Sequence, residues 1–265
     1  GTDLGLRITK RHEQPPCVLS LGRIDELHEI RQDPAETVIG AAVSYADALE
    51  PLTALAPSFG QMIRRIGAAQ IRAMGTLGGN LGNASPIGDT VPPLIALGAA
   101  VETARRDGRR IVPVEKFITG YRRTALRPGE IIAAVRIPKP GPQTVVKVYK
   151  VARRVDQDIS TVSAAFALKL KGGRAAAIRV AYGGVAERPL RAPAVEAALG
   201  GRPWTLENVR AAAAAVRDSV SPIDDARGSA AYRQAVCANL LERLWWETAG
   251  PAGAPATLEA LEGAA

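Results

Sequence analysis

Lys139-Pro140-Gly141-Pro142 interrupts any regular element, because two prolines lack the backbone N–H and the glycine between them favours a turn. The chain changes character across this break. Before it, short strand-like and helix-like segments are mixed. After it, strand-like segments at 145–151, 160–170 and 174–182 precede helical ones at 192–199, 206–217 and 229–246. That order predicts an α+β domain with a three-stranded antiparallel sheet and three helices, the last carrying Val236, Leu240, Leu244 and Trp245 as a packing stripe. At 265 residues the chain is long enough for two modest domains. They are expected at 1–140 and 144–248, with an Ala/Gly/Pro-rich mobile tail over 249–265.

In the first part, Gly1-Thr2-Asp3-Leu4-Gly5 reads as a loop, followed by a helical or extended stretch to Arg11. Residues 18–21 and 37–43 read as strands. Ser44 is expected to cap a helix from Tyr45, with Asp47 three positions on. A helix over 57–67 carries Phe59, Ile63 and Ile66 on one side, and one over 90–97 ends at Gly98. Segments 101–105 and 109–114 form a hairpin about Asp107-Gly108, and 131–137 is extended.

The stretch from Thr76 to Asp89 concentrates glycines (Gly78, Gly79, Gly82, Gly88) and polar side chains ahead of the 90–97 helix. Glycines let backbone N–H groups approach a ligand, so a phosphate or pyrophosphate is its natural guest. Neither Gly-Lys-Ser/Thr nor Gly-x-Gly-x-x-Gly occurs there, and a tight connection with capping residues is the plainer alternative. The net charge of +8 is dispersed over arginine pairs such as Arg64-Arg65 and Arg122-Arg123, without aromatic interleaving, which argues against nucleic-acid binding. Cys17 and Cys237 lie far apart and outside any Cys/His cluster, so no metal site is encoded. His12 and His28 lack partners at ligand spacing. No run of 18 apolar residues occurs, so no membrane span and a cytoplasmic location are expected.

Taken together, several segments carry a family resemblance. Gly1-Thr2-Asp3 is similar to the end of a first pyrophosphate loop, and Gln70-Ile71-Arg72 with Thr76-Leu77-Gly78-Gly79-Asn80 and Ser85-Pro86-Ile87-Gly88-Asp89 to a second. Tyr121-Arg122-Arg123-Thr124, Leu126-Arg127-Pro128-Gly129-Glu130, Tyr149-Lys150-Val151, Asp156-Gln157-Asp158-Ile159-Ser160 and Ser221-Pro222-Ile223-Asp224-Asp225 continue it in order. The chain resembles the flavin subunit of the xanthine dehydrogenase family, the molybdenum hydroxylases. Its 156–160 run looks most like bacterial xanthine dehydrogenase.

The resemblance implies a two-lobed FAD-binding domain of the vanillyl-alcohol-oxidase type, N-terminally incomplete here, followed by the flavoprotein C-terminal domain. The incompleteness is read as a fragment or gap in a longer polypeptide, with supply of the missing piece by another chain as the alternative. It implies FAD contacts at Gly1, Thr2, Asp3, Thr76, Leu77, Gly78, Gly79 and Asn80, a sugar-hydroxyl contact at Asp89, apolar contact at Ile132, and a further contact at Lys150. Ile66 stands where relatives often carry an aromatic residue, which keeps apolar contact but loses ring stacking. No residue of this chain is implied as catalytic. Electrons would pass from [2Fe–2S] clusters through FAD to NAD⁺, with molybdopterin on a large partner subunit, in a heterotetramer or larger assembly. The rival readings are another molybdenum hydroxylase, for aldehydes, CO or aromatic heterocycles, and an assembly subunit that has lost FAD.

Overall fold

Two antiparallel sheets, one on each side of the 139–143 connection, organise the computed structural model, which describes residues 1–249. The expected tail lies, from residue 250 on, outside the described residues. In chain order come α1 (Thr2–Thr9), β1 (Ile30–Gln32), β2 (Glu36–Gly40), α2 (Leu49–Leu55), α3 (Pro57–Arg64), α4 (Ala69–Met74), α5 (Leu77–Asn83) and α6 (Val91–Ala96). Then follow β3 (Ala100–Arg105), β4 (Gly108–Pro113), α7 (Val114–Phe117), β5 (Ile118–Gly120), β6 (Arg123–Thr124) and β7 (Ile131–Pro138). After the connection come β8 (Thr144–Val151), β9 (Val162–Lys171), β10 (Arg174–Gly183), β11 (Leu190–Arg191), α8 (Pro193–Leu199), α9 (Leu206–Ser219) and α10 (Ala230–Ala249).

The first sheet runs β1-β2-β7-β3-β4, with β7 paired to β2 from Ile137 opposite Thr37 and to β3 from Val135 opposite Val101. The second runs β11-β10-β9-β8. It has four strands rather than the expected three, because the chain returns after β10 and Leu190 pairs with Tyr182.

Alternation along the second sheet gives it two different faces. Tyr149, Phe166 and Tyr182 point into the layer of α8, α9 and α10, with both ring pairs edge-on at 5.9 Å. Val146, Val148, Ala165 and Ala181 point the other way and join the core of the first part. The small residues there admit α6 closely: a Cβ on Gly183 would lie 3.1 Å from the Pro92 ring. The outer edge of β8 is closed by α3, since Ser58 Oγ donates to the Val146 carbonyl (3.2 Å) and accepts from the Val148 N–H (3.1 Å). Arg65 extends this cover by donating to the Lys150 carbonyl at 2.9 Å. An edge strand covered in this way offers no row of free backbone groups.

Several local expectations are corrected. Residues 2–5, expected as a loop, belong to the helix Thr2–Thr9, which the helical or extended reading of the stretch after them allowed. Residues 18–21 form no strand, and Val18 and Leu19 are exposed: with no neighbouring ladder among the described residues, β propensity alone does not make a strand. The Ser44/Asp47 pairing does form, with the Asp47 N–H donating to Ser44 Oγ at 3.1 Å, but over a turn, and α2 begins only at Leu49. Ser44 is held there by a bridge to Thr76. In the β3–β4 hairpin Arg105 pairs with Gly108, so the turn is Arg106-Asp107, one residue earlier than expected, with the Asp107 carboxylate gripped by Arg105. Gly98, at φ +72°, ends α6 as expected. No helix among the described residues is long and apolar enough to cross a membrane.

Candidate functional site

Half of the glycine-rich stretch, Leu77–Asn83, is a helix rather than a loop. Thr76 is the N-cap of α5, its Oγ1 accepting the Gly79 N–H at 2.8 Å. Leu77, Leu81 and Ala84 recur at helical spacing and are fully buried. That apolar stripe and the cap outweigh the helix penalty of about 1 kcal/mol carried by each glycine. Gly78 lies on the inner face, where a Cβ would come within 2.7 Å of the Ala41 carbonyl oxygen.

The outer face of α5 presents Thr76, Gly79, Asn80 and Asn83, spaced i, i+3, i+4 and i+7, with Gly82 beside them. This face floors a cleft of about 700 Å³, within the range of small-molecule sites. Gly1, Thr2 and Asp3, at the start of α1, stand across it, and Ile66, Ile71 and Met74, from the α3–α4 region, give it an apolar wall. Tyr45 and Arg122 also line it. Arg122 takes the left-handed conformation, φ +52°, in the β5–β6 turn and donates to Asn83 Oδ1 at 3.2 Å. Arg7, Arg11 and Arg122 outnumber the single carboxylate of Asp3 among the lining charges, which favours an anion. Arg7 is partly committed, at 2.6 Å from Glu13.

A polar network lies behind the floor. Thr90 Oγ1 donates to Asn80 Oδ1 at 2.6 Å, close to the buried Tyr45 phenol. Burial, reinforced by the charge of Asp89, pushes the Tyr45 phenol well above its ordinary range, so it stays protonated. Asp89 accepts from Lys150 Nζ at 2.6 Å and from Ser160 Oγ, with the Lys150 and Asp89 side chains 2% and 10% exposed.

Of the residues singled out in the sequence, Gly1, Thr2, Asp3, Ile66, Thr76, Gly79 and Asn80 meet around the cleft. Leu77, Gly78, Asp89, Ile132 and Lys150 are not in its lining. Leu77 and Gly78 face the core, Asp89 and Lys150 pair with each other, and Ile132 sits behind Gly82, whose Cβ would lie 3.5 Å from Ile132 Cδ1. Tyr45, Ile71, Met74, Gly82, Asn83 and Arg122 line the cleft without having been singled out as site residues. Helical spacing from Thr76 would have found Asn83. Arg122 arrives through tertiary packing.

Comparison with known proteins agrees with this architecture. Residues 1–140 match the family described as FAD binding domain in molybdopterin dehydrogenase, and residues 147–248 the CO dehydrogenase flavoprotein C-terminal domain. The glyceraldehyde dehydrogenase medium chain of Sulfolobus acidocaldarius is 34% identical, over 89% of this chain and 84% of that one. Xanthine dehydrogenase of Drosophila pseudoobscura pseudoobscura is 30% identical over 91% of this chain, which spans 19% of that protein. Among solved structures, carbon monoxide dehydrogenase of Hydrogenophaga pseudoflava, in a form lacking the Mo-pyranopterin moiety, superposes with a TM-score of 0.86 at 32% identity, covering 92% of this chain and 85% of that one.

Proposed function

Because the chain belongs to the family of FAD-binding domains of molybdopterin dehydrogenases, we propose that it is the FAD-carrying electron-transfer subunit of a molybdenum hydroxylase. The observation that carries this reading is the outer face of α5. Among the described residues and apart from the helix's own backbone, an added Cβ would meet Thr76 Oγ1 at 3.0 Å at Gly79 and Ile132 Cδ1 at 3.5 Å at Gly82, so side chains there would project into the cleft. The helix thus lays bare backbone against whatever fills that space, as a dinucleotide requires. The cationic lining suits its diphosphate, and the apolar wall of Ile66, Ile71 and Met74 suits an aromatic ring.

Thr76, Gly79 and Asn80 would hold the cofactor from below, with Gly1, Thr2 and Asp3 facing them and Arg122 at one end. When bound, FAD supplies a group that takes up single electrons and delivers a hydride. The residues of this chain orient the cofactor and exclude water from one side of it; none is required to move a proton. Residues 1–140 would form the cofactor-binding domain and 144–248 the flavoprotein C-terminal domain. The electron donor would be an iron–sulfur partner, the organic substrate would react on a molybdopterin-binding large subunit, and NAD⁺ would accept the hydride. The description of relatives as medium chains supports such an assembly.

The substrate is left to the partner. The 156–160 run favours a purine, whereas medium chains of glyceraldehyde and carbon monoxide dehydrogenases match over more than four-fifths of their own length. The test is Gly79→Val in the assembled complex. Flavin absorbance should disappear while substrate oxidation with an artificial acceptor survives; full flavin occupancy in that variant would remove the assignment. An assembly role without cofactor would instead leave the wild-type complex colourless in the flavin band.

A further inference from the structure

Asn80 contributes an amide to the cleft, and the value of an amide depends on which end faces the ligand. Its orientation is dictated from behind. Thr90 is fully buried and has a single hydroxyl proton, which it donates to Asn80 Oδ1 at 2.6 Å. The Thr90 proton thereby holds the Asn80 carbonyl inward, which leaves the Asn80 amino group for the cleft. Gly88 closes the arrangement, since a Cβ there would lie 3.0 Å from Asn80 Oδ1.

Thr90 is held in turn by the second half of the chain. Its neighbour Asp89 is gripped by Lys150 of β8 and by Ser160, just before β9. The backbone just before Asp89 is pinned where the Gly184 N–H donates to the Pro86 carbonyl at 2.9 Å. We propose that Thr90 is a positioning residue for the cofactor, turning Asn80 so that its amino group donates to an acceptor oxygen of the bound dinucleotide. Asp89, Lys150 and Ser160 act on Asn80 through Thr90. The inference rests on the FAD reading above and deepens it, because it makes the second sheet a determinant of flavin affinity although it lends the cleft lining no side chain.

The test uses the deflavinated complex titrated with FAD. Thr90→Val keeps the shape and removes the hydroxyl, freeing the Asn80 amide to turn, and should weaken FAD binding about fivefold to tenfold, the scale of one hydrogen bond. Thr90→Ser should restore wild-type affinity. In an Asn80→Ala background, Thr90→Val should have no further effect on affinity, whereas a purely structural role would weaken binding equally in both backgrounds. Unchanged affinity in Thr90→Val, or an undiminished effect in the Asn80→Ala background, overturns the proposal while the FAD reading stands. Failure of the wild-type complex to take up FAD overturns both.

Discussion

Lys150 and Asp89 are buried charges that satisfy each other, and Ser160 takes the remaining carboxylate oxygen. Removing one partner leaves an uncompensated charge among buried groups. Lys150→Met should therefore cost about 3–5 kcal/mol in chemical denaturation, and the double variant Lys150→Met/Asp89→Leu should recover much of that loss. Glu130 is a different case. Its carboxylate accepts from Arg110, at 2.5 and 2.7 Å, and from the Arg127 N–H at 2.7 Å, and the Arg110 guanidinium is the chief reason that its pKa falls from 4.5 to about 2. Because the folded value lies below the ordinary one, the stabilisation is complete above pH 4.5 and is lost as pH falls toward 2. Acid titration of stability should be flatter across that interval in Glu130→Gln than in the wild type.

The two faces of α5 make opposite demands on their glycines, and substitutions can separate them. Gly78→Ala would drive a methyl into the Ala41 backbone and should destabilise the fold by about 1–3 kcal/mol. Gly82→Ala meets only ordinary contact with Ile132, so it should stabilise the cofactor-free protein by up to about 1 kcal/mol while weakening flavin binding, a split visible in melting and titration of the same variant. This helix also marks how far the sequence could be read. The polar and glycine residues of Thr76 to Asp89 pointed to a ligand, but their abundance concealed the Leu77, Leu81, Ala84 stripe that makes the segment helical. Three strands and three helices after Pro142 were legible because each is backed by a buried face, whereas the two-residue β11 carries no pattern of its own. Residues 18–21 were misread because a strand is defined by its neighbours. Tyr45 and Arg122 reach the cleft through packing between distant segments, which no local pattern reports.

One face of the second sheet belongs to the core of the first part, so the halves on either side of 139–143 do not have separate interiors. All three tryptophans, Trp204, Trp245 and Trp246, lie in the second half, whereas the cleft is built entirely from the first. Tryptophan fluorescence and flavin release therefore report on opposite parts, and they should change together in one denaturant transition. Two separated midpoints would show that the shared core does not couple them. The covalent link at 139–143 contributes little of this coupling. Across it run the Ser58 contacts to β8, the Arg179 bond to the Ile95 carbonyl at 2.9 Å and the Arg188 bond to the Ile118 carbonyl at 2.9 Å. A polypeptide severed in that connection would remain one particle, and its two pieces, made separately, would serve as a complementation pair whose reunion is announced by the return of bound flavin.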